Sequence, residues 1–476
     1  MKNTIILLLL FISNYSFSQE ACKCSKDLDF VITYYENNLP GFKDNVNSKT
    51  KDTYTSLKTS LKAEAEKAET KSDCYKLTLQ FVEFFRDNHS SIYMRSENID
   101  DSNEEQVQQF LASKTFTSRE IIPEDQIDQN QYPLDDIRGI YEIKGAYKIA
   151  VIPNKTALRD YVGVILESKT KLWKAGQVKF ELKKNDVPNE FLAISYLKNH
   201  AVRYNSRFSL KEGVLGDFWF KTSLEKQVNH AIDVSYEFDF KTINDSIAYL
   251  RIPTFSGRRS AKIDSLYDAS FNTIRTKPYL IIDVRNNGGG SDANVNPLLE
   301  FIYTNKIKTD KVDLYVTKDN IKIWEGWYKD AKEDTINFSE DRVKWFAKRL
   351  KKMKKARLNS FMSVSKGGKM SRHYKAIAVQ KVAILYNKNC ASSCETLLFR
   401  AQQSSKTILV GENSGGYVGY GEVGTVYTPC YNFTLTCTSS RYKKQRAYEV
   451  IGIAPNHYLN NTKSWVDQTI ELLEKQ

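Results

Sequence analysis

The chain has 476 residues and a formal net charge of +13, with 41% hydrophobic and 27% charged residues. That length exceeds a single hydrophobic core, so two or three domains are expected, and the composition excludes bulk disorder. The basic excess comes without a nucleic-acid-binding motif, so no nucleic-acid partner is expected.

The first residues read as a leader. Lys2 supplies a small positive segment, residues 5–12 are apolar, and Ser16-Phe17-Ser18 offers small residues for cleavage. This predicts a signal peptide over residues 1–18 and an exported protein, periplasmic or extracellular. The apolar run is too short to span a bilayer and no other long apolar stretch follows, so no integral membrane segment is expected. Gln19-Glu20-Ala21 before Cys22 is not a lipid-attachment pattern.

Export permits disulfides. Of seven cysteines, Cys22, Cys24 and Cys74 form an N-terminal group, Cys390 and Cys394 bracket a serine turn, and Cys430 and Cys437 flank an alternating, hairpin-like segment. One bridge from Cys74 to Cys22 or Cys24, another within the C-terminal four, and one free thiol are expected. No Cys/His cluster has zinc spacing, so neither metal nor cofactor is expected.

Residues 19–130 read as a helical N-terminal region. Apolar residues recur at helical spacing over 26–37, 54–67 and 77–86, the last ending at Asp87-Asn88-His89, and a further helix is expected over 104–113. Residues 131–240 read as a β-rich middle domain, a small barrel or a sandwich, from short apolar runs at 147–152, 161–166, 178–182 and 208–210. Residues 241–476 read as an α/β domain: a strand at 247–252, a helix at 261–274 and a strand at 279–284 begin it. Within it, residues 310–375 form a basic, aromatic insertion carrying Trp324, Trp327 and Trp345. Its lysines over 344–375 suit either a solvated helix face or contact with an anionic surface.

Two turns in this last domain could carry chemistry. Asp283-Val284-Arg285-Asn286-Asn287-Gly288-Gly289-Gly290 and Asn389-Cys390-Ala391-Ser392-Ser393-Cys394-Glu395 each follow a short apolar run and precede a segment that can be helical. Strand-to-helix turns hold a nucleophile and backbone N–H donors rigidly and in the open. A serine in one and a glycine run in the other supply what acyl transfer requires. Phosphate binding is the rival for the glycines, but no Lys-Ser/Thr follows them. The five histidines are His89, His200, His230, His373 and His457.

These motifs, together with Val410-Gly411-Glu412-Asn413-Ser414-Gly415-Gly416, Gly452-Ile453-Ala454-Pro455 and Asp87-Asn88-His89-Ser90, resemble the tail-specific (C-terminal-processing) and tricorn-type serine peptidases. The resemblance runs in order from about residue 247 to 460. It implies a crotonase-like α/β catalytic domain, Ser392 as nucleophile, and an oxyanion hole from the N–H groups of Ser393 and Gly289. Where the processing branch carries a lysine base, this chain has Tyr417. The tricorn-like branch instead uses Ser, His and Glu, which match Ser392, His89 and Glu449. The family's PDZ domain is not visible in residues 139–234. The expected activity is that of an exported serine endopeptidase acting on protein or peptide substrates. The alternative is a catalytically inactive peptide-binding or scaffolding protein on the same fold. Oligomeric state is left open.

Overall fold

Strands Ile247–Arg251, Tyr279–Asp283 and Lys381–Tyr386 are buried along almost their whole length. Near-continuous burial is the mark of strands covered on both faces. They form the centre of a six-stranded sheet, in spatial order Asp239–Thr242, Ile247–Arg251, Tyr279–Asp283, Lys381–Tyr386, Thr407–Gly411 and His457–Tyr458. Only the first pairing is antiparallel; the rest are parallel and in register. Leu280, Ile282 and Ile384 face a core with helices Ser260–Ile274 and Ser393–Ala401. Ile281, Ala383 and Leu385 face the opposite side, closed by Trp465 and Leu473 of helix Trp465–Glu474.

The computed structural model describes residues 22–475 apart from 97, 157, 158 and 186. The leader expected over 1–18 lies outside the described residues. Among the described residues, no helix is long and apolar enough to cross a membrane.

The middle of the chain is a closed eight-stranded barrel, and the last of its strands, Trp219–Lys221, pairs back onto the first, Gly139–Ile143. The sequence pattern leaves barrel and sandwich open because both alternate inward and outward residues; closure is decided by that last pairing. Helices Cys24–Asn38, Lys51–Ala65 and Lys71–Glu83 precede it. Their aromatic residues Tyr35, Tyr54 and Phe81 pack edge to face with Phe85, just past the third helix, and the same core continues into the barrel. His200 is buried there under Trp173, and burial pushes its imidazole down to about 3, consistent with a structural role.

The disulfides are Cys24–Cys74, Cys390–Cys394 and Cys22–Cys430, with Cys437 free and buried. The third crosses from the N-terminal group to the C-terminal one, a pairing that cysteine spacing cannot anticipate. The hairpin expected at 430–437 is displaced upstream: its strands are Gly424–Tyr427 and Thr434–Cys437. Thr434–Cys437 is a central strand, flanked by Gly424–Tyr427 and by Ile92–Tyr93 from the helical region.

The basic insertion is built on two antiparallel strands, Ile307–Val316 and Ser360–Met370, joined by helices Lys318–Glu333 and Glu340–Lys355. Phe346, Leu350 and Met353 recur at helical spacing and are buried, while Lys348, Lys351, Lys352 and Lys355 are exposed on the other face.

Candidate active site

The turns that follow the central strands all open at one edge of the sheet. In an open parallel sheet, the carboxyl ends of the strands are where ligands bind. Val284 to Ser291 follow strand Tyr279–Asp283, Asn387 to Ser392 follow Lys381–Tyr386, and residues 412–417 follow Thr407–Gly411.

The glycine turn rests on a buried ionic base. Asp283 accepts hydrogen bonds from Arg285 Nη2 (2.6 Å) and from the Tyr249 hydroxyl (2.8 Å), and Arg251 donates to its backbone carbonyl (3.0 Å). Burial alone would raise the Asp283 carboxyl, but Arg285 and Arg251 hold it below the usual carboxylate range. Several hydrogen bonds then stitch the glycine turn to the serine turn. Asn286 N–H donates to Asn387 Oδ1 (2.9 Å) and Ala391 N–H donates to Asn287 O (3.0 Å).

Ser392 sits immediately before helix Ser393–Ala401, with φ +58° and ψ −119°. A serine pays a steric penalty there, and such positions persist only where surrounding contacts impose them. The constraint comes from three residues on. Glu395 Oε2 accepts the N–H of Ser392 (3.0 Å) and of Tyr417 (2.7 Å), while Oε1 accepts Gly416 N–H (2.8 Å) and the Ser414 hydroxyl (2.6 Å). One buried carboxylate therefore ties the serine turn to the next loop. Sequence reasoning placed Glu395 in a motif and gave it no role, although serine with glutamate three residues later is a capping-box spacing. Glu395→Ala would leave three backbone donors unpartnered in the interior. The expected loss is roughly 3 kcal/mol or more of stability, read as a fall in denaturation midpoint.

His89 reaches this edge by sheet pairing. Ile92 and Tyr93 pair with Leu435 and Thr434, and the Thr436 hydroxyl donates to the His89 carbonyl (2.8 Å). The ring packs edge-on against Tyr417, with centroids 5.2 Å apart. Its Nδ1 is buried and, among the described residues, has no hydrogen-bond partner. Burial holds the imidazole below its ordinary value, against the pull of Asp87. Asp87 accepts the His89 backbone N–H (3.0 Å) and bonds the hydroxyls of Ser90 and Thr438 (2.7 Å each).

Glu449 lies beside this segment but its carboxylate does not bond the His89 ring. Its Oε1 accepts Asn88 N–H (2.9 Å), and its Oε2 accepts the N–H groups of Val418 (3.0 Å) and Gly419 (2.5 Å). Burial, then the Asp87 charge, pushes it up to about 8. It thereby ties the backbone of Asn88, next to the histidine, to that of Val418 and Gly419.

Gly288 and Gly289 differ in their surroundings. Gly289, expected to face the oxyanion, donates its N–H to Asn287 Oδ1 (2.9 Å). Its φ is +91°, and a Cβ there would stand 2.5 Å from Ala391 O and 2.8 Å from Ser393 N. Gly289 is thus the residue that lets the two turns touch. Gly288 has open space around it and faces the cavity.

Ser392, Ser393, His89 and Gly288 line one cavity of about 520 Å³. Its far wall comes from the insertion: Trp324, Trp327, Arg342 and Trp345. Arg342 stacks on Trp345 (4.9 Å to the ring centre) and donates to Ser291 Oγ (2.8 Å), just after the glycine turn. The sequence marked the insertion as basic and aromatic; its distance along the chain hid that it closes over the serine.

Residues 246–459 match the family model described as peptidase family S41. The match spans the α/β part of the chain, somewhat less than half of its length. It supports a serine-type peptidase. No curated protein matches the chain. Among solved structures, mature CPAF complexed with lactacystin is similar at 13% identity, covering 94% of this chain and 97% of that one, with a TM-score of 0.47. The photosystem II D1 C-terminal processing protease is similar at 11% identity, covering 92% of each chain, with a TM-score of 0.33. The tricorn protease is similar at 11% identity, covering 95% of this chain and 36% of that one, with a TM-score of 0.37.

Proposed function

We propose that this peptidase is an exported endopeptidase in which Ser392 is the nucleophile and His89 the general base. The α/β domain is read as crotonase-like, with the helical region and the barrel as separate units before it. The observation that carries the reading is the backbone of Ser392, held at positive φ before a helix and facing a cavity that His89 also lines. A neutral imidazole takes the Ser392 proton as Oγ attacks the peptide carbonyl, then returns it to the leaving amine. The oxyanion is received by Ser393 N–H at the positive end of its helix and by Gly288 N–H. Gly288 replaces Gly289 in this role because the Gly289 N–H is already engaged. Glu449 acts as a positioning residue, fixing Asn88 beside the histidine, and Asp87 is the carboxylate that stabilises the charged ring. Insertion residues Arg342 and Trp345 shape the substrate side of the cavity.

Export is supported by the leader pattern and by three disulfides, which persist in oxidising compartments. The inactive-scaffold alternative is disfavoured by the Cys390–Cys394 bridge, which brackets Ser392 yet leaves it half-buried at the cavity wall.

Labelling with a serine-directed phosphonate, followed by peptide mapping, tests the assignment. The label is expected on Ser392. The base must be neutral to act and burial lowers its pKa. The labelling rate should therefore hold its plateau as pH falls past the ordinary imidazole value of about 6.5, dropping only in more acid solution. A label on another serine, or an acid limb centred above 7, would contradict the assignment of nucleophile or base.

A further inference from the structure

The barrel carries a second cavity, of about 580 Å³, whose lining shares no residue with the cavity at Ser392. It lies at one end of the barrel, among the turns around Gly145, Thr170, Leu197 and Phe218. Its walls are ring-rich, with Tyr147, Phe180, Tyr196, Phe208 and Trp219 facing it. Phe218 stands at the mouth, 48% exposed. The charge is one-sided: Lys169, Lys179, Lys198 and Arg203 face the cavity against the carboxylate of Asp101, which is already paired with Lys198 at 2.7 Å.

Lys179 is the unusual member. It is the extra residue of a bulge, since Gly163 pairs with Phe180 and Val164 with Val178, and bulges re-aim side chains. It is 94% buried (6% exposed). Its Nζ lies over the rings of Tyr147 (4.3 Å) and Trp173 (4.0 Å) and reaches the Leu197 carbonyl at 3.4 Å. Among the described residues, no carboxylate pairs with it. Burial, with Arg119 nearby, brings its amine down to about 7. A buried amine without a counter-charge is costly, and a carboxylate delivered by a ligand relieves that cost.

We propose that this barrel end binds a small acidic amphiphile, an alkyl-chain carboxylate whose head group pairs with Lys179 and whose tail lies against the ring-lined wall. A peptide is the poorer occupant. Peptides grip sheets by adding a strand to a free edge, and a closed barrel has none. Small closed barrels do hold one small ligand, and the volume is in the range of such sites.

Calorimetric titration of the full chain with sodium laurate, below its micelle concentration, tests the proposal. Dodecanol serves as the uncharged comparator. Saturable one-site laurate binding is expected, at least tenfold weaker in Lys179→Met, with dodecanol binding equal in the two proteins. Phe218→Asp, at an exposed mouth position, should weaken laurate at least tenfold and serves alone if Lys179→Met does not fold. The proposal is overturned by absence of saturable laurate binding, by laurate affinity unchanged in the folded variants, or by a peptide with an apolar C-terminus that displaces laurate and binds more tightly.

Discussion

Ser392→Ala is expected to reduce peptide hydrolysis by about 10⁴-fold or more while the protein stays folded. In the proposed mechanism the hydroxyl is the bond-forming group, and Ser392 stands directly before helix Ser393–Ala401 at the cavity wall. The stability cost should be small. The constraints on this turn run through backbone N–H groups to Glu395 and Asn287, and alanine keeps all of them. The measurement is kcat/KM on a fluorogenic casein or peptide, with a melting temperature recorded beside it. Near-wild-type hydrolysis by a clean preparation of the variant would remove Ser392 from the mechanism.

Gly289→Ala is expected to cost about 10²-fold or more in kcat and roughly 1–3 kcal/mol in stability, although the residue is not assigned to the reaction. The added methyl would meet Ala391 O at 2.5 Å, and Ser392 Cβ and Ser393 N at 2.8 Å. Those atoms cannot easily retreat. Ala391 N–H is bonded to Asn287, Ser392 N–H to Glu395, and the bridged cysteines stand on either side. The φ of +91° adds strain for any residue with a Cβ. The methyl must therefore push the serine and the Ser393 donor off their positions, and displacements near 1 Å are enough to cost two orders of magnitude. Gly288→Ala is the control: its Cβ meets nothing within 4 Å, so stability should be nearly unchanged. Equal stability losses at the two positions would show that crowding at Gly289 is not the cause.

Much of the α/β domain was legible in the residues themselves. Runs such as residues 279–282 and 382–386 are short and apolar without alternation, as strands covered on both faces are. The serine and glycine turns were legible for the same reason: small residues directly after a buried strand signal a sharp turn. Local physics determined these features, because turn chemistry and strand burial depend on neighbours in sequence.

What the fold alone decided was which distant groups meet. His89 approaches the serine because Ile92–Tyr93 joins a strand from the far end of the chain, and Arg342 does so because two helices of the insertion fold back over the glycine turn. Whether the barrel closes and which cysteine Cys22 finds each turn on a long-range contact. Such contacts leave no periodic trace, since each partner carries its own local pattern and nothing in either names the other. The residues therefore determined the strands, the turns and the chemistry they could host, while tertiary packing chose the partners.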